Sequence, residues 1–321
     1  MPKSFKVICF LLFIGTVISV IINLNIGFLK LNFADFFTET QNSQIAQLRI
    51  NRVLVMILAG ISIPTAGFLS QEYFQNPLAG PSVLGITSVA SLSVAFYIFL
   101  SQNWVLPEFL QNSFLSLSAI VGSLLLMLVL IGFSNRFQNH NFLIIFGFLV
   151  SALAGAIISI LQFYADNQSL KNYILWSFGA NNSVSGNEIF ILSVIVLMGL
   201  FLSFKTIKPL IGNALGTVYA RSLGVNLNGL KILIIVASSL LSASVTAFLG
   251  PILFIGIVVP HFCRMIYNPA KLWQQWILNM LLGVLIMELF SIISELTQFP
   301  LNVITSLFGI PVILTMMMKK I

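Results

Sequence analysis

Residues 250–264 read Gly-Pro-Ile-Leu-Phe-Ile-Gly-Ile-Val-Val-Pro-His-Phe-Cys-Arg. Gly250-Pro251 ends any preceding helix, because proline lacks an N–H and its ring crowds the turn before it. The apolar run after it is too short to cross a bilayer straight. It closes on Pro260-His261, with Arg264 one turn further on. A short, broken apolar helix ending in histidine and arginine is stable only where protein or a cavity shelters the freed backbone groups. The stretch predicts a helix buried inside a membrane bundle.

Composition points the same way. The chain is 58% hydrophobic and 7% charged, whereas a soluble domain carries about a quarter charged residues. At 321 residues and roughly 20 residues per span, about ten helices fit, with no room for a soluble catalytic domain. The predicted fold is all-α and polytopic, one transmembrane domain over residues 1–321. Apolar runs fall at 7–26, 50–71, 82–101, 113–134, 141–165, 187–204, 231–249, 252–266, 274–296 and 303–318. The first sits behind Lys3 and Lys6 like a signal peptide, but no small-residue cleavage site comes after it, so it reads as a retained span. Cys9 and Cys263 both lie in apolar stretches, and no disulfide is expected between them.

Ten spans put both termini on one side. Lys3, Lys6, Arg136, Lys205, Lys208, Arg221, Lys231, Arg264, Lys271, Lys319 and Lys320 then share that side, against Lys30, Arg49, Arg52 and Lys171 on the other. The positive-inside rule makes the terminal side cytoplasmic. Asp35, Glu39, Glu108, Asp166, Glu188 and Glu295 fall outside, and Glu72 inside. The net charge of +7 thus serves orientation and lipid contact, and nucleic acid is not an expected partner.

Between the second and third runs stand Gly60, Gly67, Gln71, then Asn76-Pro77-Leu78-Ala79-Gly80-Pro81 and Leu84-Gly85. Asparagine before proline resists helix, and Gln71 can bond a freed backbone carbonyl. These residues read as shaping an inner gate. Gly147, Ser151, Ala152, Gly155 and Ala156 stripe the fifth run, a pattern of close helix packing.

Residues 205–230 form the longest polar stretch on the cytoplasmic side. Pro209 is expected to stop the sixth span, and Gly212, Gly216, Gly224 and Gly229 divide the rest of the stretch into short pieces. Two helical turns fit between Gly216 and Gly224, with Val218, Tyr219 and Leu223 as an apolar face. Such a helix suits a groove on a partner, or lies on lipid headgroups. No G-x-x-x-x-G-K-[ST] phosphate loop occurs, so ATP is not bound in that way by this chain.

On the outer side Arg49 and Arg52 are three apart, and so share a helix face. They either anchor at headgroups or meet a partner. Glu288 is the one carboxylate deep within a span, read as a helix-packing hydrogen bond or as a proton or cation site. His261 and Cys263, two apart on a helix, point away from each other, and His140 lies in a distant loop. No metal site is expected. Trp176-Ser177-Phe178-Gly179 reads as part of an outer aromatic belt.

Taken in order, these segments resemble the FecCD family, the permeases of ATP-binding-cassette importers for iron–siderophores, haem and cobalamin. The first stretch fits its G-P-I-x-F-x-G-x-x-x-P-H-x-x-R pattern, and residues 60–85 fit G…G-x-x-x-Q-x-x-x-x-N-P-L-A-x-P-x-x-L-G. The likeness continues through Trp176–Gly179, Ala220–Val225 and Pro300–Pro311. It implies a type II importer permease working by alternating access, with no cofactor of its own and ATP hydrolysis on a partner ATPase. The A-x-x-L-G-v segment, here Ala220, Leu223, Gly224 and Val225, would be the ATPase-coupling helix, flanked by Gly216 and Tyr219. Gln71, Asn76, Pro77, Gly147, Ser151, Gly250, Pro251, Pro260 and His261 would form pathway and gate, with the fifth helix at a dimer axis. The dimer would be of two copies or with a sister permease. The family's R-L-P-R, whose arginines receive acidic residues of a substrate-binding protein, is Arg49-Ile50-Asn51-Arg52 here and lacks the proline. A third family arginine is Ile292 here, four residues after Glu288, and Glu295 comes next among the charges. The implied location is a bacterial cell membrane, and the implied cargo an iron–siderophore, with haem and cobalamin as alternatives. An ion-coupled secondary transporter would need paired intramembrane charges that the chain lacks. A membrane enzyme would need a cluster of reactive side chains at one depth.

Overall fold

In a computed structural model, residues 4–37, 41–101, 108–134, 140–179, 184–268 and 271–318 are described. Lys3, Glu39, Arg136, Lys319 and Lys320, which bear on the expected orientation, lie outside them, as do the side chains of Glu108 and His140. The described residues form twelve α-helices and no strand. They are α1 (Phe5–Asn25), α2 (Ser43–Phe74), α3 (Ile86–Leu100), α4 (Glu108–Ser134), α5 (His140–Tyr164), α6 (Asn167–Ser177), α7 (Gly186–Ala214), α8 (Thr217–Ser222), α9 (Leu227–Leu249), α10 (Ile255–Ile266), α11 (Leu272–Thr297) and α12 (Leu301–Met318). Seven of these, α1, α2, α4, α5, α7, α9 and α11, are long and apolar enough to cross a membrane. The shorter apolar helices α3, α10 and α12 complete the ten expected runs, and α6 and α8 lie between them.

Helices α2 and α9 form the centre, with 78% of the residues in their most apolar 18-residue stretch buried, whereas α1 and α5 lie at the rim, with 17%. The central position suits the sequence of α2, in which large, buried apolar side chains such as Met56, Ile63, Phe68 and Leu69 are interleaved with small and hydroxylated ones. Ser62, Thr65 and Ser70 are buried and turn their hydroxyls back onto the carbonyls of Leu58, Ile61 and Ala66 at 2.6–2.9 Å. Their polarity is therefore satisfied within the helix and costs the core little.

Two proline–glycine arrangements lock α2 to its neighbours. Pro64 has no N–H for the carbonyl of Gly60, four residues back. That carbonyl lies against α11, where a Cβ on Gly283 would come within 2.1 Å of it. Pro260 likewise frees the carbonyl of Gly256 in α10, and a Cβ on Gly67 of α2 would come within 1.7 Å of that oxygen. In each case a proline exposes a carbonyl and a glycine on the next helix lets the backbone close over it. Close backbone packing stands where the lost hydrogen bond would be.

Two boundaries differ from expectation. Pro209 does not stop the sixth span, since α7 continues to Ala214. The turns beyond it are held by α2: Asn213 Nδ2 donates to the Tyr73 carbonyl, and Gln75 Nε2 to the Asn213 carbonyl, both at 3.2 Å. One lost backbone bond at Pro209 is outweighed by these ties. At 29 residues and about 1.5 Å per residue, α7 is about 43 Å long, longer than the hydrocarbon core. The third span starts later than expected, because Pro81–Leu84 form a 3-10 turn that ends at Gly85.

Candidate functional site

The Gly250–Arg264 motif folds as a sheltered break. Helix α9 ends at Leu249 and Gly250 adopts φ 74°, a conformation open to glycine. A Cβ at Gly250 would lie 2.5 Å from the Trp176 carbonyl. Pro251 begins a non-helical link, and Phe254 is held at φ 66° with its Cβ packed against Gly309. The Trp176–Gly179 segment belongs to this break. Asn302 donates its backbone N–H to the Phe178 carbonyl at 3.0 Å and its amide to the Ser177 carbonyl at 3.1 Å, so the end of α6 is stitched to the start of α12.

Along α10, Gln71 bonds a backbone carbonyl, though not the one a proline frees. Its Nε2 donates to the Ile257 carbonyl at 3.2 Å, one residue beyond the carbonyl that Pro260 frees. Its Oε1 accepts from Arg264 Nη1 at 2.7 Å, and Arg264 Nη2 pairs with Glu72 at 3.0 Å. Sequence reasoning missed this Gln71–Arg264–Glu72 clamp, although all three residues stood in or beside the motifs. His261 is partly buried and Cys263 is buried. Among the described residues no three of His, Cys, Asp and Glu converge as a metal site would need.

The clamp holds the end of α2, from which the gate loop departs. Gln75 turns the chain at φ 49°. Asn76 Oδ1 accepts the Leu78 N–H at 2.9 Å across Pro77, and the Asn76 carbonyl accepts the Ala79 N–H at 3.0 Å. These bonds make the Asn-Pro a defined turn. The next 3-10 turn rests on α5. A Cβ on Gly147 would lie 2.2 Å from the Val83 carbonyl, and Ser151 Oγ donates to the Gly147 carbonyl at 2.8 Å beside Gly85. Within one protomer Gly147 and Ser151 support this loop. The opposite face of α5, with Leu149, Leu153, Gly155, Ala156 and Ile160, is open.

Helix α8 lies at the same end of the molecule. Gly216 at φ 98° and Gly224 at φ 78° bracket it with turns that side chains resist. Ala220 is fully buried, Val225 packs on the core, and the Val225 N–H donates to the Ala220 carbonyl at 2.9 Å. These two anchor the segment. Val218, Tyr219 and Leu223 project outward, 78%, 67% and 65% exposed. The apolar face expected from the sequence is therefore present and uncovered.

The opposite end departs from expectation. Arg49 and Arg52 do share a face of α2, but that face turns inward, and both residues are buried. Arg49 donates to the carbonyls of Leu24, Asn25 and Leu29 at 3.1, 3.3 and 2.6 Å. Arg52 donates to the carbonyls of Asn23 and Ile26 at 2.6 and 3.0 Å, and pairs with Glu295 of α11 at 2.7 Å. The physical reason is the end of α1, whose last carbonyls have no helical partner and attract cations. Glu288, two turns before Glu295 on α11, is fully buried and accepts from Asn23 Nδ2 at 2.5 Å. Asn23, a polar residue inside an apolar span, was the unused signal. A pocket of about 240 Å³ lined by Gly27, Phe28, Leu48, Arg49, Arg52 and Glu295 opens beside this cluster.

Membrane-length helices around a polar centre and a sheltered broken helix define a polytopic membrane protein. The chain belongs to the FecCD transport family, which matches residues 12–319, and is an importer permease of the ATP-binding-cassette class. The hemin transport system permease protein of Yersinia pestis is 29% identical over 308 residues, covering 92% of this chain and 90% of its own length. The vitamin B12 import system permease protein of Photorhabdus laumondii is 28% identical over 288 residues, covering 88% and 84%. A solved structure described as an inward-facing conformation of a metal-chelate type ABC transporter superposes with a TM-score of 0.84 at 25% identity, covering 98% of this chain and 100% of that one.

Proposed function

We propose that this permease passes a bulky metal chelate across a bacterial cell membrane by alternating access, driven by ATP hydrolysis on a separate chain. The observation that carries the reading is α8, a helix held by Ala220 and Val225 while Val218, Tyr219 and Leu223 stand free. An uncovered apolar face on a short rigid helix is what a groove on an ATPase would grip. The end that bears α8 also carries Lys205, Lys208, Arg221 and Lys271, which supports placing it, with the N-terminus, in the cytoplasm. The open face of α5 supports a second permease subunit there. Gln71, Asn76, Pro77 and the α9–α10 break then form the parts that rock, with the Arg264 clamp joining α10 to the gate loop.

Arg49 and Arg52 are proposed as the internal fastening of the outer end, with substrate-binding-protein docking secondary to that. The relatives' names, hemin and vitamin B12, support a chelate whose metal sits in a ring of nitrogens ahead of the iron–siderophore suggested by resemblance alone. The test is reconstitution in proteoliposomes with the ATPase and binding protein that co-purify. ATP-dependent accumulation of hemin or cobalamin is expected. Accumulation of a ferric siderophore alone would reverse the order, and none of the three would defeat the chelate reading.

A further inference from the structure

Asn23 of α1 and Glu288 of α11 meet in the interior, and neither is exposed at all. Asn23 Nδ2 donates to Glu288 Oε2. Glu288 Oε1 and Asn23 Oδ1 remain, both buried and both without a hydrogen-bond partner. The two orphan atoms thus belong to the same two side chains. An ionised carboxylate and an amide carbonyl are both acceptors, so neither can satisfy the other. One proton on Oε1 changes this. It makes Oε1 a donor toward Asn23 Oδ1, and the pair closes as a ring of one N–H···O and one O–H···O bond. A single proton removes two unsatisfied buried acceptors and a buried charge together.

The surrounding charges leave Glu288 outside their pairing. Among the described residues, Arg52 of α2 is the charged group that acts on Glu288, and Arg49 and Glu295 lie beside Arg52. Arg52 directs Nη1 to Glu295 and Nη2 to the Asn23 and Ile26 carbonyls, while its Nε is buried without a partner. Arg49 is engaged by the carbonyls of Leu24, Asn25 and Leu29. Among the described residues no guanidinium N–H is given to Glu288. Within α1 the buried residues are Ile8, Ser19 and Asn23, so Asn23 is its buried polar side chain nearest the arginine-held end.

We propose that Glu288 is a resident proton-binding site, which holds one proton in the folded permease and fastens α1 to α11 as a neutral acid–amide pair with Asn23. The pair places no net charge in the membrane interior, where an ionised carboxylate would be costly. It assigns Glu288 a structural proton, outside any relay.

The test is infrared spectroscopy of the full-length permease in lipid bilayers at neutral pH. A carbonyl band of a non-ionised carboxyl group is expected in the wild type and lost in Glu288→Gln. Raising the pH should abolish the band and speed hydrogen exchange at the end of α1. Glu288→Gln can both donate to and accept from Asn23, so it should melt with the wild type and lose this pH response, whereas Glu288→Leu melts lower. A wild-type spectrum without the band at neutral pH overturns the proposal, and that measurement needs no variant to fold. A band that survives in Glu288→Gln overturns it equally.

Discussion

The α8 end and the arginine end of the bundle both carry residues that sequence alone offers as partner contacts, yet only one leaves them free. At the α8 end, Val218, Tyr219 and Leu223 have nothing above them. At the other, Arg49 and Arg52 are folded in and bound to the carbonyls at and just past the end of α1 and to Glu295. The difference comes from the chemistry of the groups. An apolar side chain on a six-residue helix has only packing to hide it, and the helix is too short to bring more. A guanidinium has five donors and takes whatever carbonyls and carboxylates its neighbours leave open. A motif thus transfers an apolar docking face more safely than an ionic one, because the ionic one depends on charges elsewhere in the chain. Here Glu295 supplies a counter-charge to Arg52.

The comparison can be broken at its arginine side first, where the largest effect is expected. Arg52→Met breaks the 2.7 Å ion pair to Glu295, whose side chain is 13% exposed. The expected loss is about 3–5 kcal/mol, the cost of breaking a buried pair by removing one member. Adding Glu295→Leu should recover most of it, because replacing both members by apolar groups is close to neutral. Thermal melts of the purified protein in detergent read both. A single variant that melts with the wild type would mean that the arginines are loosely held and available for docking.

Next comes the centre that joins the two ends. Gly67→Ala places a Cβ 1.7 Å from the Gly256 carbonyl, and backbone cannot yield as a side-chain tip would. A loss of about 1–3 kcal/mol is expected from the forced separation of α2 and α10, again by melting. An unchanged melt would show that the α2–α10 contact is slack. A smaller effect belongs to the Arg264 clamp. Glu72 and Arg264 are about a quarter exposed, 23% and 25% by side chain, so Glu72→Gln should cost about 0–1 kcal/mol. Its effect on transport should exceed its effect on melting, since the clamp ties α10 to the gate loop. Equal losses in both assays would reduce the clamp to a structural bond.

Most of the bundle was legible because its signals are local. Gly250-Pro251, Asn76-Pro77 and the Gly216–Gly224 bracket act within a few residues, where proline geometry and glycine's freedom decide the backbone. The apolar runs located the spans for the same reason. Pro209 misled because the ties that carry α7 past it come from Tyr73 and Gln75, far along the chain. The buried arginines and the Asn23–Glu288 pair were hidden for a related reason. Each is made by residues on separate helices, drawn from α1, α2 and α11, and no period or spacing in one helix reports which charge another will bring. Gln71 lay between these cases. That it would seek a backbone carbonyl could be read, but not that Arg264 would take its other end.

The central claim is that α8 transmits work from a separate ATPase, and Leu223→Asp tests it most directly. Leu223 is 65% exposed, so the substitution should change stability by no more than about 0.5 kcal/mol and leave the protein in the membrane. The measurement is ATP-driven uptake into proteoliposomes, made alongside capture of the ATPase by the tagged permease. Leu223→Asp should lose ATPase capture and uptake together, with Tyr219→Asp behaving alike. Full uptake by both variants, at wild-type levels of membrane-inserted protein, would contradict the account.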